Sequence, residues 1–120
     1  MGTAAEHQTK ARHNSAFLSS ISDEYPDWLA TAAFYVAVQL IEQLLAKRNL
    51  HSADHHQRNT RVRSDFQAIH KSYKALYNAS LIGRYDPLQD ALPIDQVRNV
   101  LISRHLEAVR SFVTAKLAKP

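Results

Sequence analysis

Apolar residues recur along this chain three and four positions apart, and no segment alternates with the two-residue period of a half-buried strand. From about Ala5 to Ser20 the pattern is weak and predicts a first helix of modest amphipathicity. Ser22-Asp23-Glu24-Tyr25-Pro26 then breaks the chain and starts a second helix, with Pro26 suited to a first turn and the acids gathered at the positive end of the dipole. That helix, about Pro26 to Arg48, is apolar nearly all round through Trp28, Leu29, Ala33, Phe34, Val36, Ala37, Leu40, Ile41, Leu44 and Leu45, and should be the most buried element. Its longest apolar stretch, Trp28 to Val38, continues into Gln39, Glu42 and Gln43, so a buried helix fits better than a membrane span.

Asn49 to Gln57 reads as a polar, histidine-rich connection. Val62, Phe66, Ile69, Tyr73, Leu76 and Ser80 then fall at alternating steps of four and three, the seam of a third helix that Gly83 is placed to end, and Asp86-Pro87 marks a turn. Asp90 to Pro93 restarts the chain, and a last helix runs to about Lys116. Its expected buried stripe is Arg98, Leu101, His105, Ala108 and Phe112, which leaves a second apolar edge of Ile102, Leu106, Val109 and Val113 for a partner. The expected fold is all-α, an antiparallel four-helix bundle with room for one short extra helix in a connection, formed by a single domain over residues 1–120.

Composition narrows the function. The chain has no cysteine, which excludes disulfides and thiolate metal sites, and Met1 to Lys10 has no apolar run of the signal-peptide kind, so a cytoplasmic protein without membrane contact is expected. The net charge of +4 is concentrated in the middle: residues 47–84 carry eight basic and two acidic side chains, together with His51, His55, His56 and His70. Such a patch fits an RNA or phosphate ligand, and it also fits a solvated helix face.

Arg98 and His105, seven residues apart, would share one face of an α-helix at about 100° per residue. A cation and an imidazole inside an apolar stripe must be satisfied or used. The same spacing recurs in Arg48 with His55 and in Arg63 with His70, so spacing alone carries no weight. Arg98 with His105 stands out because both lie on the expected seam of one helix and Asn99 follows directly. The cluster His51-Ser52-Ala53-Asp54-His55-His56 holds metal-ligand types, but adjacent histidines do not readily converge and no distant acid and histidine complete a set, so no metal or cofactor is expected. A glycine-flanked serine elbow and a phosphate-binding glycine loop are both missing. Tyr73, Tyr77, Ser80, Arg84 and Tyr85 cluster at one helix end, where tyrosine and arginine can clamp a nucleotide, although Tyr73 and Tyr77 packing the core with Arg84 capping carbonyls is the favoured reading.

Asp27-Trp28-Leu29-Ala30-Thr31-Ala32-Ala33-Phe34-Tyr35, His55-His56-Gln57-Arg58, and the run from Tyr73 to Tyr85 with Ser80, Arg84 and Tyr85 together resemble small prokaryotic HEPN-domain proteins over about half the chain. The resemblance implies a helical bundle that commonly dimerises, with His55, Arg58, Arg84 and Tyr85 as substrate-binding residues. Catalytic members of the wider superfamily carry an Arg, a polar residue and a His on a late helix, which Arg98, Asn99 and His105 match. They are metal-independent ribonucleases of toxin, antiviral or RNA-processing systems. The expected activity is therefore a cofactor-free endoribonuclease acting on single-stranded RNA, with His105 of two copies meeting across a homodimer. One imidazole would deprotonate the 2′-hydroxyl and the other protonate the leaving oxygen, while Arg98 would stabilise charge on phosphorus and Asn99 orient the phosphate. The alternative is a non-catalytic HEPN module that holds a nucleotide or a partner protein such as a nucleotidyltransferase or an antitoxin.

Overall fold

A computed structural model describes residues 2–88 and 91–119, and among them every regular element is helical. Helix α1 spans Ala4–Ser20. Its start is a reciprocal capping box: the Glu6 amide donates to Thr3 Oγ1 at 3.1 Å and the Thr3 amide donates to Glu6 Oε1 at 2.9 Å. The Thr3 amide bond to the ionised carboxylate, helped by the Thr3 side chain, holds Glu6 below the usual carboxylate range.

Helix α2, Pro26–Lys47, has proline in its first turn and buries fifteen of its 22 residues, so one neighbour could not cover it. Three do: α1, α4 and the last helical run all pack on it. By length and composition α2 could cross a membrane, but 83% of its most apolar window is already buried by protein. Asn49, at φ 59°, ends it in the left-handed conformation, and the amides of Asn49 and Leu50 donate back to Ala46 and Leu45 in a Schellman arrangement.

The third helix of the sequence pattern is two helices. Helix α3, His55–Asp65, is capped by Asp54, whose carboxylate accepts from the Gln57 amide at 2.8 Å. The chain breaks at Phe66 (φ −127°, ψ 51°), makes a 3₁₀ turn over Gln67–Ile69, and resumes as α4, His70–Tyr85. The expected seam survives the break: Val62, Phe66, Ile69, Tyr73, Leu76 and Ser80 are all buried. Gly83 does not end α4, which runs two residues further. A Cβ at Gly83 would lie 2.6 Å from the Asp27 carbonyl oxygen and 3.0 Å from Thr31 Oγ1, so its role is to let α4 approach the first turn of α2.

The restart expected at Asp90 lies outside the described residues. From Ile94 the chain is continuously helical, in three parts: a turn α5 (Ile94–Gln96), a π-helical stretch (Val97–Leu106), and α6 (Glu107–Leu117). This corrects the expected face. Hydrogen bonds that close over five residues turn the chain by only about 80° per residue, so the buried stripe runs Val97, Leu101, Leu106 and then, in α-helical steps, Val109 and Val113. Arg98, His105, Ala108 and Phe112 are half-exposed, while Leu106, Val109 and Val113, expected on a partner-facing edge, belong to the core. Of the four residues expected to face a partner, only Ile102 is left outside the core.

Candidate functional site

The π-helical stretch separates the residues expected to act together. Seven residues at about 80° each leave Arg98 and His105 roughly 160° apart around the axis instead of on one face. Arg98 reaches the α1–α2 connection, pairing with Asp23 at 2.7 Å on the surface. His105 turns to α4, with Nδ1 3.1 Å from Ser72 Oγ, and Asn99 is exposed. Within one chain these three groups do not converge. Burial, with a smaller push from Arg104, lowers the His105 pKa and favours its neutral form.

His55, Arg58, Arg84 and Tyr85 fare differently, because α2, α3 and α4 bring the first three around one aromatic cluster. Phe34 is its hub, 5.6 Å from the His55 ring, 5.5 Å from Tyr77 and 5.7 Å from Tyr73, centroid to centroid. Arg58, on α3, is buried and donates from Nε to Glu42 Oε1 on α2 at 2.7 Å. Its Nη1 lies 2.8 Å from Nδ1 of His55. Since a guanidinium can only donate, Nδ1 must accept and the ring proton sits on Nε2. Burial, then the charges of Arg58 and Arg84, lowers the His55 pKa, which agrees with a neutral ring.

Arg84, on α4, donates from Nε to the Ser80 carbonyl at 3.2 Å, from Nη2 to Ser80 Oγ at 3.3 Å and from Nη1 to the Tyr35 hydroxyl at 3.0 Å. Its guanidinium carbon lies over the rings of Tyr35 (5.6 Å to the centroid) and Tyr85 (5.2 Å). Among the described residues no carboxylate lies within ion-pair distance of Arg84. Three of its five N–H groups are used by these bonds, which leaves two to donate. Tyr85 is 72% exposed, so one face of this cluster opens to solvent. Beside the tyrosine hydroxyls, which can donate or accept, the cluster offers His55 Nε2–H and the remaining Arg84 N–H pair, donors that suit an anionic acceptor such as phosphate. A general base needs a free lone pair, and His55 has none.

Two partners were missed from sequence, Glu42 and Tyr35. An acid in the middle of an otherwise apolar helix is the signal that marks Glu42 as paired; nothing in the local pattern singles out Tyr35. Arg63 and His70, whose spacing matched that of Arg98 and His105, line one groove between α3 and α4. Tyr73 borders it, and burial raises its phenol to about 12 against the opposing pull of Arg58. Among the described residues no three His, Asp or Glu side chains converge as a metal-ligand group. No family model, curated protein or solved structure matches this chain.

Proposed function

We propose that this chain is a HEPN-like antiparallel four-helix bundle that works as a non-catalytic binding module for single-stranded RNA, with Arg84 and His55 taking a backbone phosphate and Tyr85 stacking a base. The observation that carries this reading is the donor-rich cluster: a guanidinium with no counter-ion among the described residues, laid over two tyrosines and beside a neutral imidazole whose only free nitrogen donates. Arginine over an aromatic face, with spare N–H groups, is the combination that single strands meet in sequence-tolerant sites. Arg58 acts through His55, fixing its tautomer. In this reading the protein is a cytoplasmic homodimer that needs no metal or cofactor, and an antitoxin or nucleotidyltransferase is the kind of partner that would use it.

Fluorescence anisotropy with a labelled oligoribonucleotide tests it. Tyr85→Ala should weaken binding about tenfold, from the loss of about 1–3 kcal/mol of stacking, and Arg84→Ala should also lower the salt slope by about one. Unchanged affinity in both variants refutes the reading.

A second reading, the metal-independent endoribonuclease, is favoured by one observation. Arg98, Asn99 and His105 all lie in the π-helical stretch, a geometry that recurs at functional sites. His105 is half-exposed with its pKa lowered, so as a neutral imidazole it could accept a proton if a second copy supplied the missing groups. Cleavage of single-stranded RNA in the presence of a chelator, sparing DNA and abolished by His105→Ala, would replace the binding-module reading with this one.

A further inference from the structure

Helices α1 and α6 both pack on α2, and between them lies a cleft of about 430 Å³. It shares no residue with the Arg84 cluster or with the groove between α3 and α4. Its floor is apolar, with Leu40 and Val113 buried and Leu117 half-buried beside them. A cation stands on each wall, Arg12 on α1 and Arg110 on α6, and no acidic side chain lines the cleft among the described residues. Arg110 is loosely held, at 3.3 Å from Glu107 Oε1 and 3.5 Å from Ser15 Oγ, and Arg12 makes no ion pair among the described residues. The second half of α2 adds a further signal, because it carries three polar side chains in an apolar run. Gln39 Oε1 lies 2.7 Å from His7 Nδ1, and Glu42 takes Arg58 at 2.7 Å, but the Gln43 amide, only 8% exposed, has no hydrogen-bond partner among the described residues. Gln43 lines the cleft. Buried polar groups are normally satisfied, and an amide left open costs the fold stability unless a ligand completes it.

We propose that this cleft binds a medium-chain aliphatic carboxylate. Arg12 and Arg110 close on the carboxylate from opposite walls, the Gln43 amide donates to it from the floor, and the alkyl chain lies along Leu40, Val113 and Leu117. The pairing of two guanidiniums with an apolar floor selects this class: a small acid leaves the floor wet, and a neutral chain leaves the guanidiniums and the amide unanswered. The cleft also sets the length. From Arg110 to Leu117 the helix rises about 10 Å at about 1.5 Å per residue, which accommodates about eight extended carbons at about 1.2 Å per bond. The volume is at the small end of ligand pockets. The proposal does not rest on RNA binding at Arg84, because it uses a different set of charges on a different set of helices.

The experiment is titration of the full chain with sodium octanoate below its micelle concentration, followed by calorimetry and backbone amide shifts. Saturable binding of a single octanoate is expected, with shifts at residues 8–15, 40–43 and 110–118. Butanoate, which shortens the chain, and octanol, which removes the charge, should each bind at least about tenfold more weakly. Arg12→Ala and Arg110→Ala should each weaken octanoate about tenfold. Lys10→Ala, which removes the same charge from an exposed position of α1 that does not line the cleft, should leave it unchanged. Gln43→Leu separates a site from a packing defect: it should raise the melting temperature of the free protein while weakening octanoate about fivefold. The proposal is overturned by absence of saturable binding, by several octanoates binding as to a bare apolar surface, or by octanol binding as tightly as octanoate. It is equally overturned by shifts confined to other faces, by capture on phosphatidylglycerol vesicles without binding of monomeric octanoate, or by Gln43→Leu raising the melting temperature with octanoate affinity unchanged.

Discussion

Replacing Glu42 by alanine would leave the Arg58 guanidinium buried among aromatic rings without its carboxylate. The two side chains are 10% and 7% exposed and meet at 2.7 Å, so neither is solvated in place. Breaking such a pair by removing one member costs about 3–5 kcal/mol, roughly a fifth or more of the stability of an ordinary domain. In urea that moves the unfolding midpoint down by roughly 2 M at a slope of about 2 kcal/mol per M. Glu42→Gln keeps an oxygen for Arg58 Nε and loses only the charge assistance, so it should cost less than half as much. Glu42→Leu combined with Arg58→Met removes both charges and should recover most of the loss. Urea melts followed by circular dichroism at 222 nm measure all three. If Glu42→Ala costs under about 1 kcal/mol, α3 is not anchored to α2 through this pair, and the tautomer assigned to His55 loses its support.

Three other outcomes test the framework. Leu106→Ala should cost about 2–5 kcal/mol, as a core truncation does, whereas Ile102→Ala at a half-buried position should cost clearly less; equal costs would restore the uninterrupted α-helical register. Gly83→Ala gains about 1 kcal/mol of helix propensity but drives a methyl to 2.6 Å from the Asp27 carbonyl, an overlap expected to cost about 1–3 kcal/mol, so thermal melting should show net destabilisation or at best no gain. His55 and His105 have folded pKa values below the unfolded value of about 6.5, so the unfolded chain binds protons first on acidification. Their contribution is whole above pH 6.5 and is lost as pH falls through the folded values. A smaller drop in melting temperature between pH 7.5 and 5 in His55→Gln with His105→Gln is the expected sign, and an unchanged drop would contradict it.

Much of this architecture was legible from side-chain spacing. The boundaries of α1 and α2 follow from a capping box, an N-terminal proline and an apolar run, all of them local causes. The seam from Val62 to Ser80 was also legible, even though the helix carrying it breaks at Phe66, because the step of three from Phe66 to Ile69 matches the period of the 3₁₀ turn that fills the break. The last helical run was not. Its apolar residues offer two edges, and the choice between them came with a change of hydrogen-bond period that packing against α2 and α4 decides and propensity does not.

Residue types at the candidate site could be read before their partners could. The tract from His55 to Arg58 and the tract from Tyr73 to Tyr85 announce cations beside aromatics, and the basic bias of residues 47–84 says which sign of ligand they suit. What each cation does was settled by contacts made across the fold. Arg58 and Arg84 look alike in sequence, yet Arg58 meets Glu42 sixteen residues away and is neutralised, while Arg84 meets the Tyr35 hydroxyl 49 residues away and has no carboxylate within ion-pair distance among the described residues. Arg98 and His105 share a helix, but the side-chain direction that would have joined them depends on backbone turn angle. Local sequence therefore determined that the chain is helical, which helix is innermost and where positive charge collects, because propensity, apolar period and charge are properties of neighbouring residues. Tertiary structure alone decided which face of the last helix is buried and which cation meets a carboxylate, because both depend on groups brought together only when the helices pack.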